Sequence, residues 1–243
     1  MTDRYSSEVF GHYLTTASAH RSDLSEEGIA KSRQAYQREF GAFLPSDKDA
    51  PILEIGCSVG GFLDFLAESG YQTVQGVEIS HELVEVCHQR GHESVVCASG
   101  LDFLAGSDQR WATVVMIDVL EHLPKQAGLD LLKAIAACLQ PEGRLVLRVP
   151  NMSNPLNLQA RYGDFTHEVG YSKEALEQML RIAGFEVESV HAAAGQHRNP
   201  LAKLVFDRMA WWAFQQFCRR TMQIRAQVLR GKNIIGVATP KAS

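Results

Sequence analysis

The stretch Glu54-Ile55-Gly56-Cys57-Ser58-Val59-Gly60-Gly61 decides how the rest of the sequence is interpreted. It ends a short apolar run over 52–55, which predicts a buried strand, and it precedes a helical pattern over 62–69. Glycines at such a turn let the backbone approach a ligand without a clash from Cβ. Ligands of open α/β sheets bind at the carboxyl ends of the strands, so this turn is placed to bind a nucleotide-like molecule.

Three side chains indicate what kind of ligand this loop accepts. Ser58 stands where a Gly-x-Gly-x-x-Gly dinucleotide fingerprint has its second glycine, which argues against a pyrophosphate. Glu54 brings a carboxylate to the strand end, which suits a cationic group such as the amino group of a methionine moiety. Glu78 ends the next predicted strand, where an acid is well placed to bind both hydroxyls of a ribose.

Outward from this loop, strands and helices alternate. This order predicts βαβ units around a mostly parallel, Rossmann-like doubly wound α/β sheet. We divide the chain into a helical N-terminal lead-in or cap (1–50), a ligand-binding core (51–192), and a basic helical insertion with the last strand (193–243). The predicted strands are 52–55, 73–77, 94–97, 111–117, 144–149, 185–191 and 233–238.

Four segments carry a resemblance to class I S-adenosylmethionine-dependent methyltransferases, which covers about residues 50–192. They are the loop 54–61, Val77-Glu78, the stretch 116–123 at the end of the fourth strand, and the turn 139–147 that leads into the fifth strand. The resemblance implies a seven-stranded sheet whose final strand is antiparallel, and S-adenosylmethionine as cofactor. It further implies that Glu54, Gly56 and Gly60 line the methionine and ribose side and that Glu78 holds the ribose.

The sequence departs from this family at two places. Ser58 replaces a frequent glycine, and after the third strand Ser99 stands where the family usually has an acid facing adenine. Adenine recognition is therefore expected from Ser99 or from a backbone amide. The predicted cofactor contacts are Glu54, Gly56, Cys57, Ser58, Gly60, Glu78, Ile79, Ser99, Gly100, Asp118 and Val119.

Two histidines are the candidates for proton transfer. Methyl transfer needs an aligned acceptor, and an oxygen acceptor benefits from a base, which near neutral pH is most often histidine. His122 follows the fourth strand, and His167 lies in the charged stretch 161–168 together with Asp164. We predict His167 as the base, with His122 and Asp164 assisting. The alternatives are a helix-capping role for His122 and a solvated loop position for His167.

A divalent metal is a second interpretation of the same region. Asp118, Glu121, His122 and His167 would supply two carboxylates and two imidazoles, a ligand set that suits Mg²⁺, Mn²⁺ or Fe²⁺. The spacing of the first three is similar to an E-x-x-E-H cluster of some quinone-precursor and RNA-end methyltransferases, except that Asp118 is shorter than glutamate.

The acceptor is predicted from a weaker resemblance. The stretches 161–168, 171–173 and 180–185 look like bacterial methyltransferases of polysaccharide and O-antigen synthesis, which implies O-methylation of a sugar hydroxyl, including one on a lipid-linked glycan. The rivals are a metal-assisted O-methyltransferase of a quinone or phenolic molecule and an RNA-end methyltransferase. A non-catalytic, cofactor-binding partner subunit is the rival outside the enzymes.

Composition and charge constrain the remaining possibilities. The chain has 243 residues and five cysteines without a Cys-x-x-Cys pair, which argues against a disulfide framework or a cysteine zinc site and favours a cytoplasmic protein. From Leu201 onward it carries a net charge of +7, and the predicted helix 201–217 is apolar on nearly every side. These features indicate one of three roles for this segment: ordinary packing, a homodimer contact, or docking to an anionic membrane surface or a lipid carrier. The third role would place the protein at the periphery of the inner membrane. Nucleic acid is disfavoured because no recognised motif accompanies the charge.

Overall fold

The computed structural model describes residues 25–154, 157–193, 201–221 and 231–241. Helix α1 (Glu26–Glu39) begins at Ser25, whose hydroxyl accepts a hydrogen bond from the Gly28 amide. A single 3-10 turn (Gly41–Phe43) follows and leads into the first strand. The predicted helical lead-in is thus present from residue 25, and its earlier part lies outside the described residues.

Seven strands form one sheet in the order β3-β2-β1-β4-β5-β7-β6. Strands β1 to β5 pair in parallel, and β7 runs antiparallel to both of its neighbours, β5 and β6. This architecture confirms the predicted Rossmann-like sheet with a final antiparallel strand. The strands are β1 (Ile52–Ile55), β2 (Val74–Glu78), β3 (Val96–Cys97), β4 (Trp111–Ile117), β5 (Leu139–Pro150), β6 (Phe185–Ala192) and β7 (Asn233–Pro240).

Helices connect the strands and cover both faces of the sheet. Along β4, Val114 and Met116 belong to one buried apolar cluster, whereas Val115 between them belongs to another. Successive strand residues point to opposite faces, so both faces of this central strand are packed. The further helices are α2 (Gly61–Glu68), α3 (His81–Gln89), α4 (Gly100–Ala105), α5 (Lys125–Cys138), α6 (Leu158–Tyr162), α7 (Lys173–Ile182) and α8 (Leu201–Thr221).

Helix α1 packs against one of the buried apolar clusters. Phe40, which follows it, is fully buried and packs edge-to-face on Phe62 of α2, with ring centroids 5.3 Å apart. Tyr36 packs on the same Phe62 ring at 5.2 Å. This aromatic contact holds α1 against the start of α2, which is the helix that follows the glycine loop.

Helix α8 leaves part of its apolar surface exposed. Its composition predicts burial, pairing or an interface, and Met209, Trp212 and Phe217 are exposed in the part of the chain that the structure describes. Within that same part, none of the helices combines the length and the apolarity that a membrane crossing requires. A dimer or membrane contact through α8 stays a prediction, and the basic residues Arg225 and Arg230 lie outside the described residues.

Candidate active site

The glycine loop after β1 adopts a backbone that few residues tolerate. Gly56 and Gly60 have φ angles of 76° and 81°, and Ser58 between them has φ 50°. The amide of Gly56 donates to the Val77 carbonyl of β2 at 2.7 Å. A Cβ added to Gly56 would lie 2.4 Å from Cγ2 of Val119, which follows β4. The loop after β1 and the loop after β4 are therefore in direct contact.

Glu78 fastens this loop from the end of β2. Its Oε2 accepts a hydrogen bond from the Ser58 amide at 2.9 Å, and its Oε1 accepts one from the Ser80 amide at 3.0 Å. Burial raises the pKa of this carboxyl, although the backbone hydrogen bonds from Ser80 and Ser58 oppose the rise. Each carboxylate oxygen has a second lone pair, so Glu78 can also accept the hydroxyls of a ribose.

Glu54 is a buried carboxyl, and no cation among the described residues lowers its pKa. It is 2% exposed, and its Oε2 has no hydrogen-bond partner among the described residues. Burial raises its pKa well above the ordinary value, and the neighbouring Cys87 and Glu78 raise it further. Such a group is costly unless something pairs with it. The amino group of a bound S-adenosylmethionine would supply that charge.

Tyr36 of α1 also faces this loop, and sequence analysis did not identify it. Its hydroxyl lies 3.4 Å from the position of a Cβ built on Gly61. Burial raises the pKa of Tyr36 to about 12, and Glu54 contributes to the rise. The only sequence signal was its place in the helical pattern before the loop, which predicts packing and not a site.

The expected adenine side is apolar, and Ser99 has a structural role there. The Ser99 hydroxyl donates to Asp102 Oδ2 at 2.7 Å and accepts from the Asp102 amide at 3.1 Å, so it caps α4. Its one hydrogen is therefore used within the helix cap, and the contact of Ser99 with adenine stays a prediction. Ile79 and Leu101 nearby are partly exposed, and Cys97 is exposed. Together with Glu54, Glu78 and the glycine loop, these residues fit S-adenosylmethionine.

Both carboxylate oxygens of Asp118 take part in a salt bridge with Arg148. Asp118 has φ 55°, and its two oxygens accept hydrogen bonds from Nε and Nη2 of Arg148, the first at 3.1 Å. Nη1 of Arg148 donates to Glu39 Oε2 of α1 at 2.9 Å. The pairing of Ile117 with Arg148 across β4 and β5 places the guanidinium beside Asp118. The expected contacts of Asp118 with the cofactor and a metal stay predictions.

His122 and His167 meet because the segment after β5 folds back over the end of β4. Asn151 and Tyr171 form a parallel bridge at the two ends of this segment. The amide of Glu168 donates to the Glu121 carbonyl at 2.8 Å. The two imidazole rings consequently pack edge-to-face, with centroids 4.6 Å apart and planes at 70°. The structure thus brings the two predicted catalytic histidines together.

Hydrogen bonds fix the tautomer of both imidazoles. Nδ1 of His167 lies 2.7 Å from the Ala160 carbonyl, which can only accept, so Nδ1 carries the hydrogen. Nδ1 of His122 lies 2.6 Å from Oγ1 of Thr166, and that hydroxyl donates its own hydrogen to Asp164 Oδ1 at 2.7 Å. His122 therefore also carries its hydrogen on Nδ1. Asp164 acts on His122 through Thr166, a residue that sequence analysis missed.

Glu121 lies beside the two histidines and is almost completely enclosed. It is 1% exposed, and neither of its carboxylate oxygens has a hydrogen-bond partner among the described residues. Burial raises its pKa well above the ordinary value, and Asp118 raises it further. Ligand atoms of Glu121, His122 and His167 all lie within 4.8 Å of one another. The buried hydroxyl of Tyr171 has no partner in the described residues, and Glu121 helps to raise its pKa.

Within the charged stretch 161–168, a charged side chain forms hydrogen bonds with the backbone of the same stretch. Arg161 donates to the carbonyl oxygens of His167 and Glu168, the second at 3.0 Å. By contrast, Tyr162 and Phe165 in the same segment are 74% and 84% exposed. The segment therefore presents apolar rings, and its arginine stabilises the loop that carries His167.

Comparisons with known proteins agree with this geometry. A family model described as a methyltransferase domain matches residues 29–190. The chain is 27% identical over 174 residues to the O-methyltransferase resE of Aspergillus sclerotiorum, covering 67% of this chain and 65% of that protein. It is 28% identical to the O-methyltransferase cnsE of Penicillium expansum, covering 83% of this chain and 74% of that protein. The chain thus spans just under two thirds of the first of these relatives.

Among solved structures, the fold is similar to that of a SAM-dependent methyltransferase from Archaeoglobus fulgidus. The TM-score is 0.63 with 22% identity, and the match covers 88% of this chain and 93% of that one. At this level of identity the similarity supports the fold.

Proposed function

The chain belongs to the methyltransferase-domain family and takes S-adenosylmethionine as its methyl donor, and from that premise we propose that it methylates a hydroxyl oxygen of a small acceptor with an apolar or aromatic body. The observation that carries this proposal is the pair His122–His167, whose rings lie 4.6 Å apart. The amide of His122 donates to the carbonyl of Val119 at 3.1 Å, and Val119 is the residue that contacts the glycine loop. An oxygen acceptor is the kind of acceptor that needs a base at this place.

The proposed roles follow from the hydrogen bonds. S-adenosylmethionine supplies an electrophilic methyl group on a sulfonium. His167, protonated on Nδ1, uses Nε2 to take the proton of the acceptor hydroxyl as its oxygen bonds to the methyl carbon. His122, oriented by Thr166 and Asp164, holds the ring of His167 and the acceptor in position. The carbon–sulfur bond breaks, S-adenosylhomocysteine leaves as a neutral thioether, and the proton passes from His167 to water.

An apolar acceptor body is supported by the exposed rings of Tyr162 and Phe165 next to His167. The names of resE and cnsE as O-methyltransferases support an oxygen acceptor. Because methyl transfer depends on alignment, a flat apolar surface beside the base would help to orient a planar acceptor.

The sugar acceptor expected from sequence is our second candidate. It came from the resemblance of residues 161–168, 171–173 and 180–185 to methyltransferases of polysaccharide synthesis, and in the structure Arg161 and Asp164 form hydrogen bonds within the first of these stretches. The three relatives named above are described as methyltransferases and not as enzymes of polysaccharides. We therefore place the phenolic class ahead of the sugar class.

The test separates catalysis from cofactor binding. Release of S-adenosylhomocysteine is measured with a panel of simple phenols and, separately, with nucleotide sugars. With the best acceptor, H167A should reduce turnover by about a hundredfold or more. Its affinity for S-adenosylhomocysteine, measured by calorimetry, should stay unchanged. The control is H81A, because His81 is exposed and pairs with Glu85 on the surface of α3. Full activity of H167A, or turnover with nucleotide sugars alone, would contradict the proposal.

A further inference from the structure

Glu121, His122 and His167 form a compact group of one carboxylate and two imidazoles at the end of β4. We propose that this group binds a divalent transition-metal cation, such as Zn²⁺, Mn²⁺ or Fe²⁺, through one carboxylate oxygen and two Nε2 atoms. Binding itself does not depend on the reaction. Only the role of the bound cation in catalysis rests on the proposed O-methyl transfer.

The first argument is geometric. The ligand atoms of the three residues lie within 4.8 Å of one another. Bonds from Zn²⁺ to imidazole nitrogen or carboxylate oxygen are about 2.1 Å, so ligands of one ion are roughly 3.5 Å apart. Small rotations of the three side chains would bring their ligand atoms from this separation to the spacing that one ion requires. Two histidines and one carboxylate also leave positions open for water or an acceptor.

The second argument is the orientation of the imidazoles. A ligating histidine usually donates its other ring N–H to a carbonyl or carboxylate, which fixes the tautomer and the ring. His167 makes this bond to the Ala160 carbonyl at 2.7 Å. His122 makes it at 2.6 Å to Thr166, which passes its own hydrogen to Asp164. Both rings are thus held in the tautomer that ligates through Nε2.

The third argument is the charge of Glu121. Neither oxygen of this enclosed carboxyl has a hydrogen-bond partner among the described residues. Such a buried acceptor is expensive unless it is paired or coordinates a metal. Arg148, whose charge acts to lower the pKa of Glu121, is already bonded to Asp118 and Glu39. A cation between Glu121 and the histidines would satisfy the carboxylate.

The ligand set also indicates the class of metal. Imidazole ligands favour Zn²⁺, Fe²⁺, Co²⁺ and Ni²⁺, whereas Mg²⁺ and Ca²⁺ prefer oxygen alone. Asp118 was expected as a fourth ligand, but its two oxygens are bonded to Arg148, which leaves two nitrogens and one carboxylate.

A bound cation would change how the acceptor is activated. An acceptor hydroxyl that coordinates the cation loses its proton more readily, because the positive charge stabilises the alkoxide or phenolate. The proton goes to water, and the oxygen then bonds to the methyl carbon while S-adenosylhomocysteine leaves. His167 takes the proton itself only in the metal-free protein, since in the loaded protein its Nε2 is a ligand.

The experiment uses Co²⁺ as a spectroscopic probe. The full chain is treated with a chelator, dialysed, and titrated with Co²⁺ while visible absorbance is recorded. We expect one equivalent to bind with saturation, Zn²⁺ to displace it, and a large excess of Mg²⁺ to leave the spectrum unchanged. No acceptor is needed, so failure of this test and failure of the proposed methylation are distinguishable.

Three variants and one control locate the site. E121Q, H122Q and H167Q should each weaken Co²⁺ binding by at least tenfold. Because His167 lies in a loop, H167Q still tests the site if E121Q fails to fold. Folding of each variant is verified by an unchanged affinity for S-adenosylhomocysteine. H81Q removes the exposed histidine of a His–Glu pair on α3 and should bind Co²⁺ as the wild type does. Absence of a saturable 1:1 signal, or equal binding by all four variants, would overturn the proposal.

Discussion

The guanidinium of Arg148 holds both carboxylate oxygens of Asp118, although the two residues are thirty positions apart in the sequence. Its remaining nitrogen reaches Glu39 of α1 at 2.9 Å. Burial would lower the pKa of Arg148, but Asp118 and Glu39 outweigh this effect and raise it, so the ion pair stays charged. One side chain therefore joins β5, the loop after β4 and the N-terminal helix beside the cofactor loop.

Removing this arginine should destabilise the fold. R148L leaves the carboxylates of Asp118 and Glu39 without their cation, and breaking such a buried pair costs about 3 kcal/mol. The matched control is R144L on the same strand, whose ion pair with Glu188 is about one third exposed. That change should cost less than about 1 kcal/mol. Urea unfolding of the two variants measures the difference, and equal losses would refute the role of Arg148.

Gly56 should be far less tolerant of substitution than another glycine of the same backbone conformation. G56A adds a Cβ that meets Val119 at 2.4 Å and must keep φ at 76°. G70A must keep φ at 88°, but its Cβ would meet nothing within 4 Å. Strain of this backbone costs about 1 kcal/mol or more at both sites. Only G56A should also weaken binding of S-adenosylhomocysteine, by at least tenfold.

A double variant checks the cause of that effect. Shortening the obstructing side chain in G56A/V119A should restore part of the lost affinity, because the contact with Cγ2 of Val119 disappears. If calorimetry shows that G56A/V119A binds S-adenosylhomocysteine no more tightly than G56A does, the clash with Val119 is not the reason for the lost affinity.

Glu78 should be necessary for cofactor binding. E78A removes the proposed ribose contact and also the acceptor for the amides of Ser58 and Ser80. Unpaired buried donors of this kind cost about 1–3 kcal/mol each, so we expect affinity for S-adenosylhomocysteine to fall more than tenfold. E85A, on the exposed face of α3, serves as the control. Unchanged affinity of E78A in calorimetry would remove the ribose assignment.

Glu54 should make the cofactor-free protein less stable as the pH rises. Its pKa is raised in the folded protein, while an unfolded glutamate ionises near about 4.3. Below that value both states are protonated and the group costs nothing. Above it the unfolded chain binds fewer protons than the folded one, so the free energy of unfolding falls with increasing pH.

The variant E54Q cannot ionise and isolates this effect. Its free energy of unfolding should exceed that of the wild type by more at pH 8 than at pH 5. Saturation with S-adenosylhomocysteine should reduce this difference in the free energy of unfolding, because the amino group of the ligand pairs with the wild-type carboxylate. E85Q should show no such trend. A gap that does not change with pH would mean that Glu54 is not a buried, unpaired carboxyl.

The sheet and the cofactor loop were predictable because their signals are local. Apolar runs, stopping glycines and strand–helix alternation are read over windows of a few residues, and they located the loop after β1 and the acid that ends β2. The glycines of residues 56–60 indicated a close approach of the backbone to a ligand, and the structure adds that Gly56 and Gly60 have positive φ angles.

The partners of single side chains were not predictable in this way. Asp118 reads as a ligand in the sequence, and only the register of β4 against β5 places Arg148 beside it. Ser99 is used by the Asp102 cap, a choice between two hydrogen bonds that the sequence leaves open. Tyr36 reaches Gly61 through helix packing over a separation of 25 positions, for which no local pattern exists.

The position of β7 in the sheet has a consequence for synthesis of the chain. β7 lies between β5 and β6, although both of these precede it in the sequence. Until residues 233–240 have left the ribosome, β5 and β6 each present an unpaired edge, and unpaired edges recruit strands of other molecules. A premature stop shortly before Asn233 would therefore leave the cofactor loop intact yet yield an aggregation-prone product, because β5 and β6 would keep their unpaired edges.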